Sequence, residues 1–481
     1  MIAHPPATDD QSSQPTRRSR NEPLLRQKAS GRLALLLHLP IIGQFCHDKG
    51  VFMPDLSQIR PVRQMERSLV LVPHPSSLPV EAKLIRPRDI LMVAPTMFFA
   101  DYGCHVRILE EAVTLRALGH QLRVLAYPNG RDIAELPVRR GPGVPFNYRI
   151  VVGSSRHKIY LDAMLALTGL HEVITRRPEL IHAHLHEGAL LGRGWSLLRR
   201  SPLVFDFQGS LTSEMIDHHF LHRGSPFYRP LRWLEEVIDN WPAAILTSSL
   251  HAADLLVREF QCPHDKVFAV PDCVNTQTFR PIEDADDEAE RQALRRSFRI
   301  PDDCILVVYL GLLAEYQGTG LLLQAAREVL SQRHDVHFLI MGYPGEAVYS
   351  QMAAELGIAP WCTFTGRLPY EQAPTFLRLG DVAVAPKFSA TEGSGKLLNY
   401  MATGLPTVAF DTPVSREYLG DWGVYAPECD AHGFATALLA LLRTPHEWPI
   451  LGAALRRRAQ ECFSWEQAGR TMSEIYDLVC D

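Results

Sequence analysis

The sequence predicts an α/β protein made of two Rossmann-like domains in tandem that face one another across a cleft. Three observations lead to this fold class. The chain has 481 residues, more than one hydrophobic core usually holds. Short apolar runs alternate with amphipathic helices in two successive series, and a segment dense in charge separates them. We expect the domains at residues 88–283 and 301–463, a charged linker at 284–300, and a last helix at 464–481.

The first series begins with the apolar run after Asp89, continues through a loop containing Tyr102 and Gly103, and enters a helix up to about His120. Further apolar runs follow at 122–128, 146–154, 180–185, 202–209, 243–249 and 266–272, with a helix predicted at 159–175. Short buried runs that alternate with helices are typical of a parallel sheet.

The second series has apolar runs at 304–311, 337–343, 362–366, 381–387 and 406–410, separated by helical patterns. Ligands of such sheets bind beyond the carboxyl ends of the strands. No G-x-G-x-x-G occurs, and Leu397 stands where a phosphate-binding P-loop needs Ser or Thr. Hydride transfer and Mg-ATP hydrolysis are therefore not indicated.

Composition narrows the class of protein. Hydrophobic residues make up 46% and charged residues 21%, which is ordinary for a globular chain, and the net charge of −5 does not suggest nucleic-acid binding. The nine cysteines are scattered and form no C-x-x-C, so reduced thiols are favoured over a disulfide framework or a zinc ribbon. We expect a cytoplasmic protein.

Residues 1–87 form an N-terminal extension that neither domain needs. Its polar start predicts partial disorder, and residues 1–88 hold 13 Lys or Arg against 7 Asp or Glu. The apolar stretch at 33–45 is too short to span a membrane. It is either a short helix packed on the body or a peripheral contact with the inner face of a membrane.

The segment Thr391-Glu-Gly-Ser-Gly395 is the strongest candidate for a binding site. Two glycines just ahead of a predicted helix let backbone N–H groups and the positive end of the helix dipole approach an anion closely. Lys387 and Lys396 flank this loop and either add positive charge to it or are ordinary exposed side chains. The pattern predicts a site for an anion such as a diphosphate.

The polar residues of the first domain leave several interpretations open. His182, His184 and His186 fall at i, i+2 and i+4, which on a strand is one face, and could bind a metal, line the cleft or be structural. Asp206 could accept the proton of an acceptor hydroxyl or cap the next helix.

The order of these motifs over roughly 390 residues resembles a retaining glycosyltransferase of the GT-B fold, family 4. The motifs include those at 101–103, 182–184, 270–281, 309–318 and 391–411. The resemblance implies that the first domain binds the acceptor and the second the nucleotide-sugar donor, while helix 464–481 braces the first domain. It also implies that the nucleotide sugar is a co-substrate and that no cofactor or metal is needed.

The resemblance assigns individual residues. Glu392 would contact the donor sugar, with His184 and Asp206 as further catalytic candidates. Asn399 stands where the family has a ribose-binding Glu, and Leu312 and Gln317 stand where it has basic diphosphate contacts. The remaining donor-binding candidates are Gly311, Gly342, Lys387, Gly393, Ser394, Gly395 and Lys396, and the acceptor or cleft candidates are Tyr102, Gly103, His184 and Gln208.

The expected activity is transfer of a hexose-type sugar from a nucleotide-diphosphate sugar to a hydroxyl, with retention of anomeric configuration. The acceptor would be a glycan, a lipid or a small molecule. Two alternatives stay open: a sugar-nucleotide-binding protein without catalysis, and a GT-B epimerase acting on the nucleotide sugar itself.

Overall fold

The computed structural model describes residues 85–134, 136–143, 158–218, 220–388 and 391–481. Residues 1–84 of the N-terminal extension, with the apolar stretch at 33–45, lie outside the described residues. So does the apolar run predicted at 146–154.

The first sheet contains, among the described residues, seven parallel strands in the order β3-β2-β1-β4-β5-β6-β7. The strands are β1 (Asp89–Ala94), β2 (Gln121–Ala126), β3 (Val138–Arg140), β4 (Leu180–His184), β5 (Leu203–Phe207), β6 (Ala244–Thr247) and β7 (Val267–Ala269). The helices of this half are α1 (Gly103–Ala117), α2 (Lys158–Arg176), α3 (Leu185–Arg199), α4 (Leu211–Asp217), α5 (Tyr228–Asn240) and α6 (Leu250–Arg258).

The predicted charged linker is largely helical, since α7 spans Ala285–Ser297. The second sheet has six parallel strands among the described residues, in the order β10-β9-β8-β11-β12-β13. They are β8 (Ile305–Leu310), β9 (Val336–Met341), β10 (Cys362–Gly366), β11 (Val382–Ala385), β12 (Thr407–Phe410) and β13 (Val424–Ala426). The remaining helices are α8 (Thr319–Leu330), α9 (Glu346–Glu355), α10 (Ala373–Leu377), α11 (Gly395–Thr403), α12 (Pro413–Leu419), α13 (Ala431–Leu442), α14 (Trp448–Cys462) and α15 (Trp465–Cys480).

The central strands are apolar because helices cover both faces of each sheet. Ile90 to Ala94 of β1 are fully buried, and alternate residues enter two separate core clusters, one on each side of the sheet. Burying each such aliphatic side chain stabilises the fold by roughly 1.5–3 kcal/mol. The sequence prediction of two Rossmann-like halves is confirmed.

The strand order places the binding crevice. It reverses between β1 and β4 in the first sheet and between β8 and β11 in the second. At such switch points the loops after neighbouring strands diverge and leave space beyond the carboxyl ends. The loops after β1 and β11 carry the predicted Tyr102 and Glu392.

The last helix, α15, packs on α1 of the first half rather than on the second half. Trp465, Met472 and Tyr476 are buried in the same cluster as β1. Arg88 donates a hydrogen bond of 2.7 Å to Asp477 at the end of this helix. The carboxyl-terminal helix therefore packs on the first half of the chain.

Polar contacts join the two halves on either side of the crevice. On one side, Arg367 donates to Asp101 at 2.7 Å and Tyr343 Oη donates to the carbonyl oxygen of Ala100 at 2.8 Å. On the other side, the backbone N–H of Leu250 donates to Glu417 at 2.9 Å. The two halves are therefore in direct contact through these residues.

The outer face of α2, α3 and the start of α5 is unusually apolar. Helix α3 packs between α2 and α5, so the three form one layer over the sheet. Eleven of the sixteen exposed large hydrophobic side chains in the described residues lie on this layer or in the segment before α5. They are Ile159, Tyr160, Leu167, Leu170, Ile174, Leu190, Leu197, Leu198, Phe220, Phe227 and Trp233. In the described part of the chain, no helix combines the length and the hydropathy that crossing a membrane requires.

Candidate active site

A cavity of about 350 Å³ lies between the carboxyl ends of the two sheets. Its walls come from the loops after β1, β4 and β5 on one side and after β8, β9 and β11 on the other. The predicted residues that line it are Tyr102, Gly103, Gln208, Gly311, Gln317, Gly342, Lys387, Glu392, Gly393, Ser394, Gly395, Lys396 and Asn399. The structure thus brings the predicted donor and acceptor sides together around one cavity.

The loop between β11 and α11 presents anion-binding groups to this cavity. Helix α11 begins at Gly395, and the N–H groups of a first helical turn have no partner within the helix. Ser394 Oγ is buried and, among the described residues, has no hydrogen-bond partner. A Cβ atom at Gly393 would lie 2.3 Å from Asp272 Oδ2, so only glycine permits the loop to approach the first half this closely.

Glu392 and Lys387 form an ion pair at the edge of this loop. Lys387 Nζ lies 2.8 Å from Glu392 Oε2 and donates to the carbonyl oxygen of Gly393 at 2.7 Å. Glu392 also reaches toward the first half, since its Cγ lies 3.0 Å from the position that a Cβ would take on Gly209. Lys387 therefore holds Glu392 where the two halves meet.

Lys396 is half-buried beside the cavity and is not a fully exposed lysine. Its Nζ donates to Gln317 Oε1 at 2.8 Å and lies 4.5 Å from the centre of the Tyr309 ring. Burial, and next the positive charge of Lys387, lower the pKa of Lys396 to about 7. A negatively charged ligand would favour the protonated ammonium.

The two departures from the family pattern have structural consequences. Gln317, in place of a basic residue, accepts the hydrogen bond from Lys396 and so orients that ammonium. Leu312, in place of the other basic residue, adds an apolar side chain to the lining. Positive charge at this end of the cavity thus comes from Lys387 and Lys396.

The wall of the cavity formed by the first half contains more carboxylates than the sequence indicated. Lys158 Nζ donates to Glu187 Oε1 at 2.5 Å, and both residues line the cavity with Glu214. Burial, followed by the charges of Glu392 and Glu187, raises the pKa of Glu214 to about 7. This carboxyl group changes charge near neutral pH.

His184 and Asp206 do not line the cavity, which corrects the cleft position predicted for them. Both are fully buried, with His184 Nδ1 3.0 Å from Asp206 Oδ2. Burial alone would raise the pKa of Asp206, but Arg107 and His184 lower it below its usual range. Gln208 does line the cavity, and its side-chain amide donates to Asp206 at 2.8 Å. The geometry makes Asp206 and His184 positioning residues for Gln208.

The three histidines do not share one face, because β4 ends at His184. His182 and His184 stack with ring centres 4.6 Å apart, whereas His186 lies in the first turn of α3. His186 Nε2 lies 3.2 Å from Asp239 Oδ1. Burial opposes protonation of His186, but the charge of Asp239 outweighs it and raises the pKa to about 9.

Sequence reasoning did not single out Arg107, Glu214 and Asp272. Arg107 and Glu111 fall at i and i+4 on the buried face of α1, a pair of opposite charges within an otherwise apolar stripe. That pattern is a usable signal. Nothing in the chain around Glu214 or Asp272 distinguishes them from exposed loop carboxylates.

Two family models match the chain, one in each half. Residues 102–273 match the glycosyl transferase 4-like domain, and residues 305–444 match the glycosyl transferases group 1. The two matches contain most of the loops that form the cavity.

Curated and structural relatives agree with these matches. The chain is 23% identical over 400 residues to a D-inositol 3-phosphate glycosyltransferase of Thermobispora bispora, covering 78% of this chain and 89% of the relative. It is 25% identical over 398 residues to a phosphatidyl-myo-inositol mannosyltransferase of Mycobacterium leprae, covering 81% and 96%. The structure of Anabaena HepE in complex with UDP-glucose superposes with a TM-score of 0.65 at 13% identity, covering 81% of this chain and all of that one. The chain therefore belongs to the group 1, family 4 glycosyltransferases and is a glycosyltransferase of the GT-B type.

Proposed function

We propose that this glycosyltransferase moves a hexose-type sugar from a nucleotide-diphosphate sugar to an acceptor hydroxyl, with retention at the anomeric carbon. The observation that carries the proposal is the position of the β11–α11 loop. It presents Glu392, Ser394 and Lys396 to a cavity whose opposite wall carries Tyr102 and Gln208. An anion-binding loop that faces a polar wall across one sugar-sized space fits donor and acceptor together.

The donor would bind to the second half of the chain. The residues Gly393 to Lys396 offer free N–H groups and the Lys396 ammonium to the diphosphate, while Glu392 accepts hydrogen bonds from the sugar hydroxyls. Asn399 lines the same cavity and is suited to a ribose diol, because its amide both donates and accepts. The UDP-glucose bound to Anabaena HepE supports a donor of this chemical class.

The reaction would proceed without a protein nucleophile. The bond between the anomeric carbon and the diphosphate oxygen breaks, and the acceptor oxygen forms its bond to the same face. The hydroxyl proton passes to the leaving diphosphate. Positive charge near that oxygen stabilises the negative charge it gains, so Lys387 and Lys396 supply the contribution that a metal ion gives in other transferases.

The acceptor is a hydroxyl compound, either a glycan, a lipid or a small molecule, rather than a nucleic acid. The relatives from Thermobispora and Mycobacterium are named for inositol-containing acceptors, which carry several hydroxyls on one ring. Three carboxylates around the cavity, Glu187, Glu214 and Glu392, can accept hydrogen bonds from such a ring.

The test combines a binding screen with product analysis. Thermal shifts are measured with UDP, GDP, ADP and their sugars, and the donor that stabilises the protein is incubated with an acceptor panel, with and without chelator. We expect turnover in chelator and a product with the anomeric configuration of the donor, read from proton coupling constants. An inverted product, or turnover that requires added Mg²⁺ or Mn²⁺, would contradict the proposal.

The second candidate is a protein that binds the sugar nucleotide without catalysis. The substitutions Leu312, Gln317 and Asn399 favour it, because each removes a charge that the family places near the donor. Donor binding by calorimetry with no turnover across the acceptor panel would support this candidate. Incubation with donor alone tests the epimerase alternative, since an epimerase changes the sugar without any acceptor.

We also propose that the protein acts in the cytoplasm at the inner face of a membrane. The support comes from the apolar outer face of α2, α3 and α5 rather than from the N-terminal extension. Seven arginines lie on or beside this face, and within the described residues no carboxylate comes within 4.0 Å of them. They are Arg176, Arg177, Arg193, Arg199, Arg200, Arg223 and Arg229. An apolar face with unpaired arginines suits a surface of anionic lipids.

A further inference from the structure

Glu111, His182 and His184 place three potential metal ligands around one buried point in the first half. All three side chains are fully buried, Glu111 on α1 and the histidines on β4. Glu111 Oε2 lies 3.7 Å from His182 Nε2 and 3.9 Å from His184 Nε2, and the three atoms lie within 4.8 Å of one another. Two imidazoles and a carboxylate are a common ligand set for Zn²⁺.

These three atoms have no other partner. In the described part of the chain, Glu111 Oε2, His182 Nε2 and His184 Nε2 form no hydrogen bond. A buried polar atom without a partner destabilises the fold by about 1–3 kcal/mol. Three such atoms that face one another therefore call for a physical explanation.

The opposite nitrogen of each histidine has a hydrogen-bond partner, and the opposite oxygen of Glu111 has an ion-pair partner. His184 Nδ1 lies 3.0 Å from Asp206 Oδ2, His182 Nδ1 lies 2.8 Å from Tyr476 Oη, and Glu111 Oε1 lies 3.0 Å from Arg107 Nε. When each Nδ1–H donates to its oxygen, each Nε2 lone pair is left for a metal. Metal-binding histidines are usually fixed by partners of this kind.

The charges of the surrounding network point the same way. Arg107 is the shared partner of three carboxylates, Glu111, Asp206 and Asp272, and all four residues are largely buried. Three carboxyl groups around one guanidinium make a cluster with more acidic than basic groups. A divalent cation at the Glu111 site would add a second positive partner, which lowers the cost of burying these groups.

We propose that Glu111, His182 and His184 bind a structural zinc ion inside the first half of the protein. A water molecule would complete a tetrahedral site. None of the three residues lines the cavity, so the ion is separate from donor and acceptor. It would join α1 to β4 and, through Tyr476, fix α15 against both, while keeping Asp206 in place behind Gln208.

The proposal is tested first on the unmodified full-length protein. We expect one equivalent of zinc by elemental analysis after purification without affinity metals, and loss of the metal in denaturant with chelator. Refolding with Co²⁺ should give visible absorption bands of a tetrahedral complex. Zinc below a tenth of an equivalent, together with no thermal shift on adding Zn²⁺, overturns the proposal.

Variants locate the ion without relying on activity. Tyr476→Phe removes only the hydroxyl partner of His182, and we expect zinc affinity to fall about 10- to 100-fold. The control is Tyr400→Phe, which removes another buried hydroxyl, one bonded to the backbone of Leu310 in the second half, and should leave zinc affinity unchanged.

The second buried cluster, His186, Glu235 and Asp239, provides a competing location. Glu111→Gln should lose the zinc and Asp239→Asn should keep it. The reverse result places the ion in the other cluster and overturns the proposal, as does equal affinity in the two tyrosine variants. None of these measurements depends on glycosyl transfer, so failure here leaves the proposed function untouched.

Discussion

The two halves share a fold but place their ionisable residues differently. The first sheet surrounds its central strands with a buried network that includes Arg107, Glu111, His182, His184 and Asp206. Among the described residues between 301 and 463, the buried residues with charged or imidazole side chains are His337 and Lys387, and Lys387 lines the cavity with Glu392 and Lys396 of the β11–α11 segment. The comparison indicates that the first half fixes its cavity-lining side chains through buried charges behind them, whereas the second half presents its charges on a loop; under the proposed function these are the acceptor and the donor side.

The largest expected effect breaks the network of the first half. Arg107→Met leaves three buried carboxylates without their cation, and loss of one partner of a buried pair typically costs about 3–5 kcal/mol. Urea unfolding measures the loss in free energy. Arg470→Met, which breaks an exposed pair with Glu466 on α15, is the control and should cost about 1 kcal/mol or less. Equal losses in the free energy of unfolding would show that the buried network stabilises the fold no more than a surface ion pair does.

Glu392→Gln tests the donor side of the same comparison. Removing one group that stabilises the transition state lowers turnover about 10²- to 10³-fold, and we expect a loss of that size with little change in melting temperature. The transfer rate is compared with that of Glu355→Gln, a change on the outer helix α9. Full transfer activity in Glu392→Gln would remove this residue from the reaction.

The apolar outer face belongs to the first half alone, so we expect substitutions on this face to weaken membrane binding and substitutions elsewhere to leave it unchanged. Each arginine near an anionic surface contributes about 1 kcal/mol, so Arg199→Gln with Arg200→Gln should weaken binding about 30-fold. Co-sedimentation with phosphatidylserine vesicles measures it. The matched control is Arg296→Gln with Arg299→Gln, two exposed arginines of the linker region. The membrane proposal fails if the control variant weakens binding as much as the Arg199 and Arg200 variant does. It also fails if the wild-type protein does not co-sediment with the vesicles.

Lys396 gives the smallest effect, a dependence of donor binding on pH. Its pKa is about 7 in the free protein, and a diphosphate raises it. Affinity is therefore fully present below pH 7 and falls as pH rises, by up to about tenfold per unit until the pKa of the complex is passed. Calorimetry of the nucleotide sugar at pH 6, 7 and 8 checks the slope, which Lys396→Met should reduce to the part contributed by Glu214, whose pKa is also about 7. An unchanged slope in that variant would assign the titration elsewhere.

The donor side could be predicted from sequence because strand, loop and helix follow one another directly. Residues 391–396 lie between β11 and α11, so their place at the carboxyl end of the sheet follows from the local pattern alone. Gly393 was foreseen for the same reason, although its close approach to Asp272 requires the three-dimensional structure.

The acceptor side was predicted less well because distant residues determine it. Asp206 was expected in the cleft as a strand-end carboxylate, but Arg107, 99 residues earlier, holds it in the core. His186 follows the spacing of a strand face, yet the strand ends two residues before it because the chain enters α3. Glu214 becomes distinctive only when the second half brings Glu392 near it.

The return of α15 to the first half has a consequence for biosynthesis. The strand β1 precedes the second sheet in the chain, whereas α15, the helix that covers the cluster of β1, follows it. A ribosome therefore exposes an incomplete first half while the whole second half is being synthesised. Premature stop codons within α15 would remove part of the core of the first half, although they fall after the last strand of the second sheet.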